Sequence, residues 1–307
     1  MVTASPSTRK MALAAGIDLD TLAQSTGRTH LAREDVVAHR DGTGATMAGA
    51  PPAQSHHARY WEVDHAAYGP VEHEDLDRIA QVAAANLGAA NAMIPQVTHH
   101  DRANVQAIED LRARMKPEAA ARGVKLTALA FHVKVLARCL VEFPRFNASL
   151  TADGERLVVK QYVHVGIAVD TPGGLLVPVI RDADRKGIWR IASEIGDLAA
   201  RAQSGKLKSK EMGGASMTIS NLGGIGGEAF TPIVNPPELA ILGLTRTELR
   251  PVWNGAEFAP VPTVPLDLSY DHRVLNGADA ARFLARYAEI LGDPRHLLLP
   301  RIAPRGG

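Results

Sequence analysis

The stretch Leu268-Ser-Tyr-Asp-His-Arg-Val-Leu-Asn-Gly277, continued by Ala-Asp-Ala-Ala-Arg-Phe-Leu284, decides how this chain folds. An apolar, β-prone run from Val264 to Tyr270 leads to His272. Asn276 and Gly277 turn the chain, and an Ala-rich helical pattern follows over 278–291. Strand, polar turn and helix hold an imidazole on a rigid backbone. A single histidine at a strand end is more often a surface or core residue than a reacting one, so the rest of the chain must carry the argument.

Working outward, helical spacing predicts helices over 74–88, 105–115, 125–143 and 188–202. Alternating or short apolar runs predict strands at 94–101, 158–159, 162–170, 175–180, 217–220 and 240–244, with a turn at Thr171-Pro-Gly-Gly174. Helices and strands mix without strict βαβ alternation, so the expected fold is an α/β sandwich with a mixed sheet. Residues 3–39 read as a separate all-α module. Ser5-Pro6 opens a helix that stops before Gly16, a brief turn starts at Asp18, and Ala32–His39 is a second helix. Residues 40–59, rich in Gly, Pro, Ala and Ser, read as a flexible linker, and 60–307 as the large domain.

Composition narrows the function classes. With 307 residues, 46% hydrophobic, 22% charged and a net charge of +1, the composition gives no argument for nucleic acid or membrane as a partner. Its one cysteine, Cys139, lies in an apolar helical run, reads as a small buried residue and excludes an internal disulfide. No signal peptide and no apolar run near the ~20 residues of a membrane span is visible, which points to the cytoplasm.

Three motifs compete for the chemistry. Gly223-Gly-Ile-Gly-Gly-Glu-Ala229 contains a G-x-G-x-x-A match, but Thr231-Pro232 and Pro236-Pro237 forbid the helix that would face a pyrophosphate. It reads instead as a turn that admits a close neighbour. His99-His100-Asp101 puts adjacent side chains on opposite faces of a strand and lacks a second ligand cluster, so a metal site is rejected. What remains is His272 and Asn276 with the Ser220-Asn221 pair. An imidazole can take a thiol or hydroxyl proton, and a hydroxyl can donate to a developing oxyanion. Those are the groups that acyl transfer without a covalent enzyme intermediate requires.

The run Ser-Tyr-Asp-His-Arg-Val-Leu-Asn-Gly resembles the His-x-x-x-Asp/Asn-Gly signature of the dihydrolipoyl acyltransferases of 2-oxo acid dehydrogenase complexes. Met93-Ile-Pro-Gln-Val-Thr98, Phe146-Asn-Ala-Ser-Leu150 and Val165-Gly-Ile-Ala-Val-Asp-Thr-Pro172 agree with it. So do Gly174-Leu-Leu-Val-Pro-Val-Ile180, Met217-Thr-Ile-Ser-Asn-Leu-Gly223 and Phe230-Thr-Pro-Ile-Val-Asn-Pro-Pro-Glu238. The resemblance spans about Tyr68 to Leu299 and is strongest to the acetyltransferases of pyruvate dehydrogenase complexes. It implies a chloramphenicol-acetyltransferase-like sandwich that forms homotrimers, often built into a cubic core. Residues 3–39 look like the family's peripheral subunit-binding domain through Ala4-Ser-Pro-Ser-Thr-Arg-Lys10 and Arg33-Glu-Asp-Val36, with Arg9 as a partner contact.

The resemblance further implies that His272 is the general base toward coenzyme A and that Ser220 of a neighbouring subunit steadies the oxyanion. Asn276 would position the loop, and Asp170 and Asn221 would lie around coenzyme A. Partners would be the decarboxylating pyruvate dehydrogenase, dihydrolipoamide dehydrogenase and lipoyl domains. The chain departs from the pattern in three places. It has no Asp-Lys hairpin for lipoate, so the lipoyl group is expected in trans or from a missing N-terminal domain. Gly27-Arg-Thr-His-Leu31 replaces the small domain's usual loop, and Gly173 replaces a common Asp or Asn and is expected to loosen the turn beside Asp170. Two alternatives stay open: a non-catalytic scaffold that tethers partners, and the same chemistry on a succinyl or branched-chain acyl group.

Overall fold

Val264, Leu266, Leu268 and Tyr270 alternate with Pro265, Asp267, Ser269 and Asp271, and this period of two makes one face of a long strand apolar and the other polar. The computed structural model describes residues 3–26, 30–40 and 62–298, so the expected linker at 40–59, most of the altered loop at 27–31 and the basic tail lie largely outside the described residues. Contacts divide the chain into Met1–Glu74 and Asp75–Gly307.

The first unit contains β1 (Thr3–Ala4), α1 (Pro6–Ala14), α2 (Leu19–Thr26), β2 (His30–Leu31) and α3 (Arg33–Arg40). Ser5 caps α1 through its hydroxyl, which accepts from the Thr8 amide, and Pro6 takes the first helical position as its fixed φ favours. The turn expected at Asp18 is a full helix, and β1 pairs in parallel with β2, so the unit is not purely helical. Ala12, Leu22, Ala23, Leu31 and Val36 form its small core.

The second unit contains α4 (Arg78–Met93), β3 (Gln96–Asn104), α5 (Gln106–Ala121), α6 (Ala128–Glu142), β4 (Ala148–Leu150), β5 (Leu157–Val159) and β6 (Val165–Ile167). There follow β7 (Val169–Thr171), β8 (Gly174–Leu176), β9 (Val179–Ile180), α7 (Ile188–Gln203), β10 (Met217–Asn221), β11 (Ala240–Leu244), β12 (Glu248–Trp253), β13 (Phe258–Asp271) and α8 (Gly277–Gly292). Seven strands make one mixed sheet, running β9-β6-β10-β11-β13, with β3 and β12 both pairing with the long β13. β10 is parallel to β6 and β11, and the remaining pairings are antiparallel. The α/β class with a mixed sheet is as expected.

One face of the sheet is sealed. Ile219, Leu242, Leu244, Leu266, Leu268 and Tyr270 share a core with Phe131, Leu136, Ile191, Phe283 and Tyr287 from α6, α7 and α8. Each fully buried side chain of this size contributes about 1.5–3 kcal/mol. Cys139 is buried in the same core, with its thiol pushed well up by burial, and needs no reactive role. Glu142 on α6 accepts from Arg138 and Arg286, which holds its carboxyl down against the opposing effect of burial and ties α6 to α8.

Two expectations change here. The β12–β13 hairpin lies outside the expected strands and contains Pro251, Pro260 and Pro262. Pro251 faces Pro260 and Leu249 faces Pro262, in the part of β13 before its pairing with β3 begins at Thr263, where a missing N–H breaks no ladder with a third strand. The turn beside Asp170 is not loose. Thr171 pairs with Gly174, its hydroxyl donates to the Gly174 carbonyl at 2.6 Å, and the positive φ of 107° falls on Gly174 instead of Gly173.

Candidate active site

His272 follows the last residue of β13 directly and is exposed. Its backbone amide donates to the Pro95 carbonyl at 3.1 Å, just before β3. Its ring lies 5.7 Å from that of buried Tyr270, tilted by 33°. On either side of it, Asp271 and Arg273 form a two-pronged ion pair, Nη2 to Oδ2 at 2.6 Å and Nε to Oδ1 at 2.9 Å. The chain then bends tightly, since the amides of Val274 and Leu275 both donate to the Asp271 carbonyl.

Asn276 caps α8. Its Oδ1 accepts from the Asp279 amide at 2.9 Å, and Asp279 accepts in return from the Asn276 amide at 3.3 Å. This capping box aims the helix away from the turn. Asn276 therefore carries a structural duty that the sequence reading did not assign, while its Nδ2 makes no hydrogen bond among the described residues.

Ser220 sits near the end of β10, half-buried, and among the described residues its hydroxyl has no hydrogen-bond partner. It pairs with Gly243, and Gly243 pairs with Asp267, so these residues and His100 form one row across the polar face. Gly243 is required there: a Cβ would lie 2.7 Å from the Phe230 ring. The His100 Nδ1 lies 2.6 Å from Oδ1 of buried Asp267, and His99, next to it on the alternating strand, points to the other face. No group of metal-ligating residues occurs among the described residues.

The register measures how far apart Ser220 and His272 stand. Ser220 is level with Asp267, and β13 runs five residues further, toward the opposite end of the sheet, to reach His272. With a rise of ~3.3 Å per residue and two strand spacings of ~4.8 Å, the separation within one chain is on the order of 15–20 Å. One copy of the chain does not bring His272 and Ser220 together.

Asp170 and Asn221 do come together. Both line a cavity of about 270 Å³ with Leu129, Ile195 and Gln203. Asn221 also lines a neighbouring cavity of about 450 Å³ that is bounded by Thr127, His132, Gly223 and Arg246. The Asn221 Oδ1 accepts from the Gly223 amide at 2.9 Å, which fixes the start of the glycine-rich turn. No helix follows that turn before Ala240.

The sequence reading missed two buried ionisable groups. His132 is held neutral by burial, its pKa lowered to about 4, and its Nδ1 lies 2.7 Å from the Tyr287 hydroxyl. Glu238 is 3% exposed, and burial pushes its pKa up to about 7. Its Oε1 accepts from Thr218 and Asn235, whereas Oε2 has no hydrogen-bond partner among the described residues. Glu238, Leu239, Asp271 and Arg273 line a cavity of about 420 Å³ behind the histidine turn. The only hint in sequence was a carboxylate inside the Val-Asn-Pro-Pro-Glu run.

Comparison with known proteins follows this geometry closely. Residues 68–299 match the family profile of 2-oxoacid dehydrogenases acyltransferase (catalytic domain). The chain is 46% identical over 308 residues to the dihydrolipoyllysine-residue acetyltransferase component of the pyruvate dehydrogenase complex of Pseudomonas aeruginosa, covering 97% of this chain and 55% of that protein. To the same component of Cupriavidus necator it is 44% identical over 306 residues, covering 96% and 55%. It thus spans about half the length of these curated relatives.

Among solved structures, the Azotobacter vinelandii dihydrolipoamide acetyltransferase superposes with a TM-score of 0.76 at 48% identity, covering 77% of this chain and 98% of that one. That structure concerns the roles of a serine, a histidine and an asparagine in its catalytic mechanism, spaced along its chain as Ser220, His272 and Asn276 are here. The cubic core of a pyruvate dehydrogenase multienzyme complex also gives a TM-score of 0.76, at 49% identity over the same shares. Profile, identity and fold agree over the sheet and its histidine turn, and the chain belongs to the 2-oxoacid dehydrogenase acyltransferase (catalytic domain) family.

Proposed function

We propose that this chain transfers an acetyl group from S-acetyldihydrolipoamide to coenzyme A, with an active site shared between two copies. The observation that carries the proposal is the Ser220, His272 and Asn276 spacing, common to this chain and the Azotobacter vinelandii enzyme. The separation of Ser220 and His272 within one chain adds that a neighbour must complete the site.

In this reading His272 accepts the coenzyme A thiol proton. A thiol pKa of ~8.5 lies about two above that of free imidazole, a modest demand on a base. The thiolate sulfur attacks the thioester carbonyl, and the Ser220 hydroxyl of the neighbouring copy donates to the oxyanion. Collapse breaks the bond to the dihydrolipoamide sulfur, which leaves with the proton held by His272. Coenzyme A would lie in the cavities that Asp170 and Asn221 line, where a carboxylate and an amide stand among Leu129, Ile167 and Ile195. Asn276 orients the turn as a helix cap, with an amide nitrogen left to donate.

The assembly would be a homotrimer that builds into a cubic core. The 3–39 unit, with Arg9 exposed on α1, would dock the decarboxylating pyruvate dehydrogenase or dihydrolipoamide dehydrogenase. Lipoyl domains would reach the site in trans or from an N-terminal domain, in a cytoplasmic setting. No helix among the described residues is long and apolar enough to cross a membrane.

Co-expression of His272→Ala and Ser220→Ala chains tests both the chemistry and the sharing. Each variant alone is expected to be nearly inactive toward coenzyme A with acetyl-dihydrolipoamide. Mixed trimers should regain about a quarter of wild-type turnover, because a quarter of interfaces pair an intact histidine with an intact serine. No recovery would place both groups in one chain, and full activity of His272→Ala would end the reading of His272 as base.

A further inference from the structure

We infer that the Asp271–Arg273 ion pair is a positioning clasp for the His272 imidazole, an assignment that rests on the reading of His272 as the base. Side chains at 271 and 273 lean to the same side of the chain, so closing them into one ion pair makes a small ring around residue 272 and forces its side chain outward. Asp271 is 1% exposed, and both of its carboxylate oxygens are engaged by Arg273. Oδ1 accepts from the Arg273 amide at 3.0 Å and from Nε at 2.9 Å, and Oδ2 accepts from Nη2 at 2.6 Å.

The ring is anchored on three sides. The Asp271 amide donates to the Leu239 carbonyl at 2.8 Å, the His272 amide donates to Pro95, and Arg145 donates to the Val274 carbonyl at 2.8 Å. Tyr270, buried and two residues earlier, supplies the surface against which the imidazole tilts. The backbone around His272 is thus fixed from the residues just before β11 and β3 and from the loop before β4, while the imidazole itself makes no side-chain hydrogen bond among the described residues. Direction comes from the clasp and reactivity is left to the ring. Neither Asp271 nor Arg273 needs to touch substrate.

A guanidinium can grip both carboxylate oxygens in one plane and an ammonium cannot. Arg273→Lys keeps the charge and loses the planar grip. Asp271→Asn keeps the shape and loses the charge. Both variants should assemble as wild type does, with kcat lowered about 10- to 100-fold and KM for coenzyme A and the acyl donor changed less than about twofold. The double variant should lose no more kcat than the worse single one, because a clasp is broken only once. Arg273 is 40% exposed on its side chain, so the lysine variant decides the matter should the buried asparagine fail to assemble.

Assembled variants with wild-type kcat and only a lowered Tm would reduce the pair to a fold stabiliser and overturn the inference, as would kcat losses that multiply in the double variant. His272→Ala is run alongside. If it is inactive while Arg273→Lys is fully active, the clasp alone is wrong. If His272→Ala is itself active, the reading of the base is wrong.

Discussion

At the His272 end of the sheet the backbone and the flanking side chains are tied. Asp271 is held by Arg273, the His272 amide by Pro95, and Asn276 by Asp279. At the Ser220 end the hydroxyl has no partner among the described residues, and Asn221, whose Oδ1 accepts from the Gly223 amide, opens onto two cavities. The difference fits the chemistry proposed for each end. A base must be aimed before it can take a proton, so its surroundings spend hydrogen bonds on direction. An oxyanion donor must be left unsatisfied, because a hydroxyl already bonded has nothing to give in the transition state.

The sharpest way to break this contrast is Ser220→Ala. Turnover should fall about 10²–10³-fold, the loss typical of one oxyanion donor. Stability by chemical denaturation should stay within about 0.5 kcal/mol, since no intrachain hydrogen bond is lost. A large stability loss with intact turnover would make Ser220 a packing residue.

Next in size is a pH effect between the two ends. Glu238 keeps its proton in the folded chain up to about pH 7 against 4.5 ordinarily, so its contribution to stability is lost as pH rises through that interval. His132 stays neutral down to about pH 4 against 6.5, so its contribution is lost as pH falls through that interval. Each is worth roughly 3 kcal/mol over its full span, and the two slopes cancel between about pH 4.5 and 6.5. Glu238→Gln should therefore lose more stability than the wild type on acidification from pH 6.5. Equal slopes for the two proteins in urea melts would contradict the burial of one group or the other.

Gly243→Ala should cost about 1–3 kcal/mol, because its Cβ meets the Phe230 ring at 2.7 Å and the Asp267 Cβ at 3.1 Å. Turnover should fall with it, as Ser220 is the paired neighbour on β10, and a coupled assay with a thermal melt reads both. Smallest is Asn276→Ala, which removes a helix cap worth ~1 kcal/mol, whereas Asn276→Asp keeps the cap and should keep the stability. If the aspartate variant is stable but slow, the amide nitrogen has a part in the reaction beyond capping.

Much of this molecule was legible in the residues. The strand, turn and helix around His272 follow from the alternation of Leu266, Leu268 and Tyr270, from Asn276 and Gly277 as a turn and from the helical period after Gly277. That no helix follows the glycine-rich turn was equally readable, because Pro232, Pro236 and Pro237 come soon after Gly227. The β12–β13 hairpin was not readable, since a proline breaks a strand only where its N–H would have had a partner, and that depends on which edge is covered. Glu238 was also hidden. A carboxylate after two prolines looks solvated until the fold closes over it.

By itself the sequence determined the local menu: which segments are strand or helix, which faces are apolar, and which residues can carry a proton or steady an oxyanion. These follow from side-chain period and capping chemistry, which act over a few residues. Only the tertiary structure decided that Asp170 meets Asn221 at one cavity, that Asp271 and Arg273 close around His272, and that Ser220 and His272 stand at opposite ends of one sheet. Strand order and register set those distances, and they are fixed by contacts between residues far apart in the chain, which no local pattern records.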